Sequence, residues 1–97
     1  METIKLTITE EHRTKAIASY EQGNFITECC LIAQAIREKL PLAELISVTD
    51  CNVYWCYSAH QSISYLDDKG RYIAQLTLAQ WKDLELPINV ELTKEWW

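Results

Sequence analysis

Glycine, proline and phenylalanine are scarce in this sequence: two glycines, two prolines and one phenylalanine occur in 97 residues. With its glycines isolated at Gly23 and Gly70, the chain has no glycine-rich loop for binding phosphate groups. It also lacks a run of about 18 apolar residues, which a transmembrane helix would need. The amino-terminal residues alternate between polar and apolar types, so no signal peptide is indicated. We therefore expect a cytoplasmic protein.

Basic residues are few and scattered. Nine Lys and Arg residues stand against fourteen Asp and Glu, which gives a formal net charge of −5. Binding to nucleic acid requires clustered Lys and Arg, and so does binding to an anionic membrane surface. Here Arg13, Arg37 and Lys69 each have acidic neighbours in the chain. We expect neither nucleic acid nor membrane as a partner, whereas the acidity is compatible with a basic protein partner.

The composition is that of one globular domain spanning residues 1–97. Hydrophobic residues make up 48% of the chain and charged residues 24%, close to the average for folded proteins. In a chain of this length, apolar burial and the cost of ordering nearly cancel. Further burial at a partner or subunit interface would therefore add stability.

Apolar periodicity in the first half predicts one strand and two helices. Residues 4–8 alternate as in a half-buried strand. Thr9 is placed to cap a helix over residues 10–22, and Gly23 to end it in a left-handed conformation. A second helix follows and ends at Pro41. Its apolar stripe consists of Phe25, Cys29, Ile32, Ala33, Ile36 and Leu40.

The second half is rich in strand-favouring residues as far as Tyr72 and Ile73. Breaks at residues 50–52 and 59–61, and a hairpin loop at residues 67–70, predict a meander of three strands. Thr77 and Gln80 have the spacing of a capping box at the start of a short helix. A last strand alternates over residues 88–92. The order β-α-α-β-β-β-α-β predicts an α+β fold, an antiparallel sheet with helices packed on one face. Pairing of the first and last strands is left open.

Three segments together are similar to a loose group of small phage and bacterial proteins. These segments are 6–12, 30–36 and the closing stretch 78–92. In that group a strand leads into a short helix, and a helix that starts with a Cys-Pro-Ile-Ala-type motif follows. Leu31 stands here where the group usually has proline. The resemblance implies a fold and a phage or mobile-element origin, and it implies no activity.

The four cysteines are the residues to consider for metal binding. A zinc site needs four nitrogen or sulfur ligands, usually in closely spaced pairs. Cys51, Cys56 and His60 would supply three ligands, and Cys29 or Cys30 the fourth. The spacing Cys-x4-Cys is not that of a zinc knuckle, so we favour reduced cysteines packed as small hydrophobic residues.

No catalytic residues can be assigned from the pattern. A reactive thiolate needs a nearby base or a helix amino terminus, together with groups that stabilise an oxyanion. Cys29 or Cys30, in the first turns of the second predicted helix, would meet the first of these conditions, but neither a triad nor oxyanion donors can be identified. His12, in the first turn of a helix, is expected at the surface. We predict no enzyme activity and no cofactor.

Aromatic residues are the better indication of function. Because side chains alternate along a strand, Trp55 and Tyr57 should share one face, with Tyr54 on the other. Exposed Trp and Tyr are typical anchors of protein interfaces. The predicted partner-binding residues are Tyr54, Trp55, Tyr57, Glu91, Trp96 and Trp97. For Trp55 and Trp81 we favour the alternative of packing in the core. For the two terminal tryptophans, folding back and contact with another chain both remain open.

These observations favour a non-enzymatic protein-binding module of phage or mobile-element origin. Such a module would act by occupying the surface of a partner protein, and an anti-defence inhibitor such as an anti-CRISPR protein is one version. A self-associating structural homodimer is the first alternative. A metal- or thiol-dependent protein that uses Cys30, Cys51, Cys56 and His60 is the second.

Overall fold

The structure, a computed structural model, describes residues 2–57 and 60–94, without the side chains of residues 57 and 60. These residues form five strands and five helices. The strands are β1 Glu2–Ile8, β2 Ile46–Val48, β3 Asn52–Tyr57, β4 His60–Leu66 and β5 Ile88–Lys94. The helices are α1 Glu10–Glu21, α2 Ile26–Cys29, α3 Leu31–Lys39, α4 Asp68–Ala74 and α5 Leu78–Asp83. The predicted α+β class is confirmed, and the predicted order is close to the observed one.

The strands form one antiparallel sheet in the order β1-β5-β4-β3-β2. A meander of three strands is present in β2, β3 and β4, whereas the strand-favouring segment predicted after residue 70 is not part of it. The first and last strands do pair along their whole length, with Ile4 opposite Leu92 and Leu6 opposite Val90. The apolar residues of both strands therefore lie on the same side of the sheet. β1 and the three-residue β2 are the two edges.

One face of the sheet carries the core, and the helices pack against it. We call it the inner face. Its strand residues are Ile4, Leu6, Ile8, Ile46, Val48, Val53, Trp55, Ser62, Ser64, Leu66, Val90, Leu92 and Lys94, all buried. The helices complete the core with Ala16, Leu31, Ile32, Ala33, Ala35, Ile36, Ile73 and Trp81. The predicted central helix corresponds to α3, which contacts both β1 and β2.

The helix predicted between Phe25 and Leu40 is in fact two helices. Cys30 has an extended backbone with ψ 174°, which ends α2 and starts α3. The helical spacing that predicted the apolar stripe therefore does not hold for residues before Cys30. Phe25, predicted to lie on the apolar stripe, is 75% exposed and caps α2 instead.

The predicted hairpin loop at residues 67–70 is wrong, because this segment begins α4. The Asp67 carboxylate is the N-cap, and its Oδ1 accepts the Gly70 amide at 2.7 Å. Its Oδ2 accepts the Glu91 amide at 3.1 Å and so ties the helix start to β5. A Cβ at Gly70 would lie 2.8 Å from Leu66 Cδ2 and would force this buried side chain to shift, so close packing, not a turn, favours glycine here.

Other local predictions near this region have mixed outcomes. Tyr72 and Ile73 are helical, because burying Ile73 in the core outweighs the β-propensity of both residues. The break predicted at residues 59–61 is wrong for His60 and Gln61, which belong to β4, and Ala59 lies outside the described residues. The capping box at Thr77 forms as predicted.

Gly23 ends the first helix as predicted, with φ +95°. Its amide donates to the Tyr20 carbonyl at 3.0 Å, and the Asn24 amide to the Ser19 carbonyl at 3.3 Å. This pair of bonds is the Schellman motif, which satisfies carbonyls at a helix end. This motif ends α1 and leads the chain into α2.

Candidate functional site

No helix of the described chain packs on the other face of the sheet, and on β2, β3 and β4 this face carries no charged side chain. Strand register sets its members: Asn52 lies opposite Tyr65, Tyr54 opposite Ile63 and Cys56 opposite Gln61. Ser47 of β2 lies opposite Tyr54. We call this surface the outer patch. It consists of Ser47, Asn52, Tyr54, Cys56, Gln61, Ile63 and Tyr65.

Two tyrosines dominate the outer patch. Tyr54 is 39% exposed and Tyr65 45%. The Tyr54 hydroxyl accepts a hydrogen bond from Asn52 Nδ2 at 3.0 Å, so the Tyr54 side chain lies along β3 over its neighbour two positions back. The Asn52 Oδ1 atom is buried and has no hydrogen-bond partner. Both rings therefore present apolar area to solvent from paired strands of the sheet.

A groove of about 370 Å³ lies at the β2 side of the outer patch. We call it the edge groove. Its described lining residues are Glu28, Leu45, Ile46, Ser47, Tyr54, Trp55, Cys56, Gln61, Ser62 and Ile63. Glu28 is the one charged side chain among them. Leu45 is 64% exposed at the rim, so the groove is apolar as well as acidic.

Trp55 is not an exposed anchor, which corrects its place among the predicted partner-binding residues. It lies on the inner face opposite Ile46 and is 1% exposed. Its indole Nε1 has no hydrogen-bond partner in the core. Trp81 is equally buried and makes an edge-to-face contact with Tyr20, the ring centroids 6.0 Å apart. The alternative that both tryptophans fill the core is confirmed.

The other predicted partner-binding residues are placed as follows. Glu91 is exposed, on the same side of the sheet as Tyr65, where it lies opposite Lys5 of β1. Tyr57 belongs to β3, and its side chain is outside the described part of the chain. Trp96 and Trp97 also lie outside the described residues. The structure therefore joins Tyr54 and Glu91 on one face and separates Trp55 from them.

The described cysteines do not converge. Cys29 and Cys30 are buried on the helix side, whereas Cys56 lies on the outer patch and Cys51 is exposed in the turn before β3. Burial raises the pKa of the Cys29 thiol and raises that of Cys30 to about 11. Over the described ranges, no group of three or more His, Cys, Asp or Glu side chains is arranged to hold a metal ion.

His12 is buried, not at the surface as predicted. Its Nδ1 accepts the Thr9 amide at 3.0 Å, and this leaves Nε2 to donate to Glu38 Oε2 at 2.9 Å. The imidazole therefore joins the start of α1 to α3. The prediction was wrong because it considered only the helix terminus, whereas Glu38 lies 26 positions away in the chain.

Sequence reasoning also missed Tyr65 and Ile63 as surface residues. Both lie in the part of the sequence that favours strands, but which face they occupy depends on the β3–β4 register. In that register Ile63 lies opposite Tyr54, and Tyr65 is two positions further along β4, so both share the face of Tyr54. Leu45 had no such signal, because it precedes β2 outside the regular alternation.

Comparison with protein-family models, curated proteins and solved structures gives no match for this chain. Among residues 2–57 and 60–94, no helix has the length and apolar character to span a bilayer.

Proposed function

We propose that the protein is a non-enzymatic protein-binding module that contacts its partner through the outer patch. One observation carries this proposal: two partly exposed tyrosines, Tyr54 and Tyr65, stand on an uncharged surface that no described helix covers. The cores of protein interfaces are enriched in tyrosine and depleted of charged residues.

The absence of charge is notable because the protein has fourteen acidic and nine basic residues. A sheet face that is exposed to solvent alone is expected to carry some of these charged residues, as β1 and β5 do with Lys5 and Glu91. The seven residues of the outer patch carry none. The strands that carry them are paired in the sheet, so no backbone has to be ordered on binding, which lowers its entropic cost.

In this proposal the protein acts by occupying a surface of its partner. The sequence resemblance to small phage and bacterial proteins suggests a phage or mobile-element origin, and inhibition of a host defence protein is one form of such an action. Self-association through the same patch is the competing outcome, which the experiment below distinguishes by the mass of the adduct.

Site-specific photo-crosslinking in the source cells tests the proposal. A benzophenone amino acid replaces Tyr65 in one variant and Tyr72, an exposed tyrosine of α4, in a matched control. We expect one protein adduct from position 65 and none of the same mass from position 72. An adduct with a second copy of the chain would favour the homodimer instead. Equal adducts from both positions, or none from position 65, would contradict the proposal.

The identified partner then allows a direct measurement of affinity. Replacement of an aromatic anchor costs about 2 kcal/mol or more, which corresponds to roughly a 30-fold weaker Kd. We expect this loss from Tyr54→Ser or Tyr65→Ser, while Tyr72→Ser leaves Kd unchanged. Unchanged affinity in both patch variants would exclude the outer patch as the binding surface.

A further inference from the structure

The edge groove has the properties of a site for one long side chain of the partner. It lies beside the short edge strand β2, and its walls include Leu45, Ile46, Tyr54 and Ile63. Its volume of about 370 Å³ is at the lower end of the range for binding pockets. An extended chain that crosses the outer patch would pass the groove at the sheet edge.

The described residues bring only negative charge to the groove. Glu28 lines it, and Glu44, exposed next to the rim residue Leu45, is also acidic. No Lys or Arg of the described chain lines it. None of the ion pairs formed by the described residues includes Glu28, so its carboxylate is available to a ligand. An acidic side chain in the lining of an apolar groove favours a cation with an apolar stem.

We propose that the edge groove binds an arginine side chain carried by an extended, basic segment of the partner protein. This inference rests on the proposed function, for which it names the chemistry of the partner. Arginine fits better than lysine, because a planar guanidinium stacks on a tyrosine ring and bonds a carboxylate through two N–H groups. Tyr54 supplies the ring and Glu28 the carboxylate, while the aliphatic walls cover the methylene stem.

Synthetic peptides provide the probe. The first is a capped peptide in which two arginines alternate with valines; the second has citrulline in place of arginine, and the third has glutamate. Citrulline keeps the shape and loses the charge. Binding is followed by amide chemical shifts of the labelled protein and by calorimetry at low ionic strength.

We expect the arginine peptide to shift the amide signals of Ile46, Tyr54 and Ile63, and the other two peptides to bind much more weakly. Glu28→Gln should weaken the arginine peptide about fivefold, the upper end for an ion pair with an exposed carboxylate. Glu85→Gln, which removes an exposed glutamate that does not line the groove, should change the affinity less than twofold. Both glutamates are exposed, and thermal unfolding serves to check that the variants remain folded.

Three results would overturn the inference: equal binding of the arginine and citrulline peptides, shifts outside the groove, or no shifts at about 1 mM peptide. Failure of the peptides is distinct from failure of the proposed function. A partner adduct at position 65 together with silent peptides would retain the binding module and reject the arginine site. Loss of the adduct would reject the module itself.

Discussion

Arg13 connects the first helix to the end of α5, and its replacement should destabilise the fold. Its Nη1 donates to three carbonyl oxygens, those of Trp81 at 2.7 Å, Lys82 at 3.3 Å and Leu84 at 2.6 Å. The last carbonyls of a helix have few donors within the helix, and here the Leu84 amide reaches only the Trp81 carbonyl, at 3.4 Å. A positive charge there also interacts favourably with the helix dipole.

The expected loss follows from the number and burial of these bonds. A hydrogen bond to a charged group contributes about 1.5–3 kcal/mol, and a carbonyl left without its donor costs most where water cannot reach it. The bonds to Trp81 and Leu84 are short and partly buried, while that to Lys82 is exposed. We therefore expect Arg13→Ala to lower the free energy of unfolding by about 3 kcal/mol. In a domain of this size that corresponds to a fall in Tm of roughly 12–24 °C.

Urea unfolding followed by tryptophan fluorescence measures this loss. Glu10→Gln is the matched control, because Glu10 pairs with the same guanidinium but the carbonyl contacts survive its removal. Glu10 is exposed, so solvent screens the pair and the midpoint should stay near that of the wild type. A loss below about 0.5 kcal/mol for Arg13→Ala, the range of ordinary surface changes, would refute this reasoning. So would an equal loss in both variants.

Two further predictions concern the start of α4, which follows β4, and the buried thiol of Cys30. Asp67→Ala removes the acceptors of the Gly70 and Glu91 amides and should lower the free energy of unfolding, measured by chemical denaturation, by about 2 kcal/mol. Asp67→Asn keeps one acceptor and should lower it less. Equal stability of all three proteins would be inconsistent with this cap. A thiol reagent at neutral pH should modify Cys51 in the folded protein and Cys30 only on unfolding. Because burial raises the pKa of Cys30 from 9.0 to about 11, the folded state holds this proton more tightly than the unfolded state. Its contribution to stability is complete below pH 9 and is lost as the pH rises toward 11, so Cys30→Ala should flatten the fall in stability over that window; an identical slope would show that burial does not act on this thiol.

The sheet was predictable where alternation coincides with clear start and stop residues. β1 ends at Ile8, directly before Thr9, the N-cap residue of the next helix, and β5 begins just after Pro87. Both strands have apolar residues at every second position, so their burial pattern follows directly. Their pairing was beyond reach, because it joins residues nearly the whole chain apart.

The segment after β4 was not predictable from propensity. Aspartate, lysine and glycine in sequence are typical of a hairpin loop, and Tyr72 favours a strand. The outcome depends on tertiary contacts: Asp67 binds an amide of β5 as well as one of its own helix, and Ile73 is buried in the core. The N-cap potential of Asp67 was a usable signal, but by itself it does not choose between a loop and a helix.

The candidate site was predictable by half. Alternation correctly places Tyr54 and Trp55 on opposite faces, but it does not say which face the helices cover. That choice depends on the strands beside β3. The buried Ile46 lies opposite Trp55, and the exposed Tyr65 lies opposite Asn52, two positions along β3 from Tyr54. The edge groove depends on Glu28 of α2, whose position beside β2 follows from the break at Cys30.

The arrangement separates the residues that hold the fold together from those available to a partner. Trp55 is buried on the inner face, so replacing it by a smaller residue would leave a cavity in the core and lower binding by destabilising the fold. Tyr54 makes one hydrogen bond to its neighbour Asn52 and leaves much of its ring in solvent. Changes on the outer patch should therefore leave the core contacts intact, since the sheet lies between them. A loss of binding in Tyr54→Ser can then be attributed to the surface, whereas the same loss in a Trp55 variant cannot.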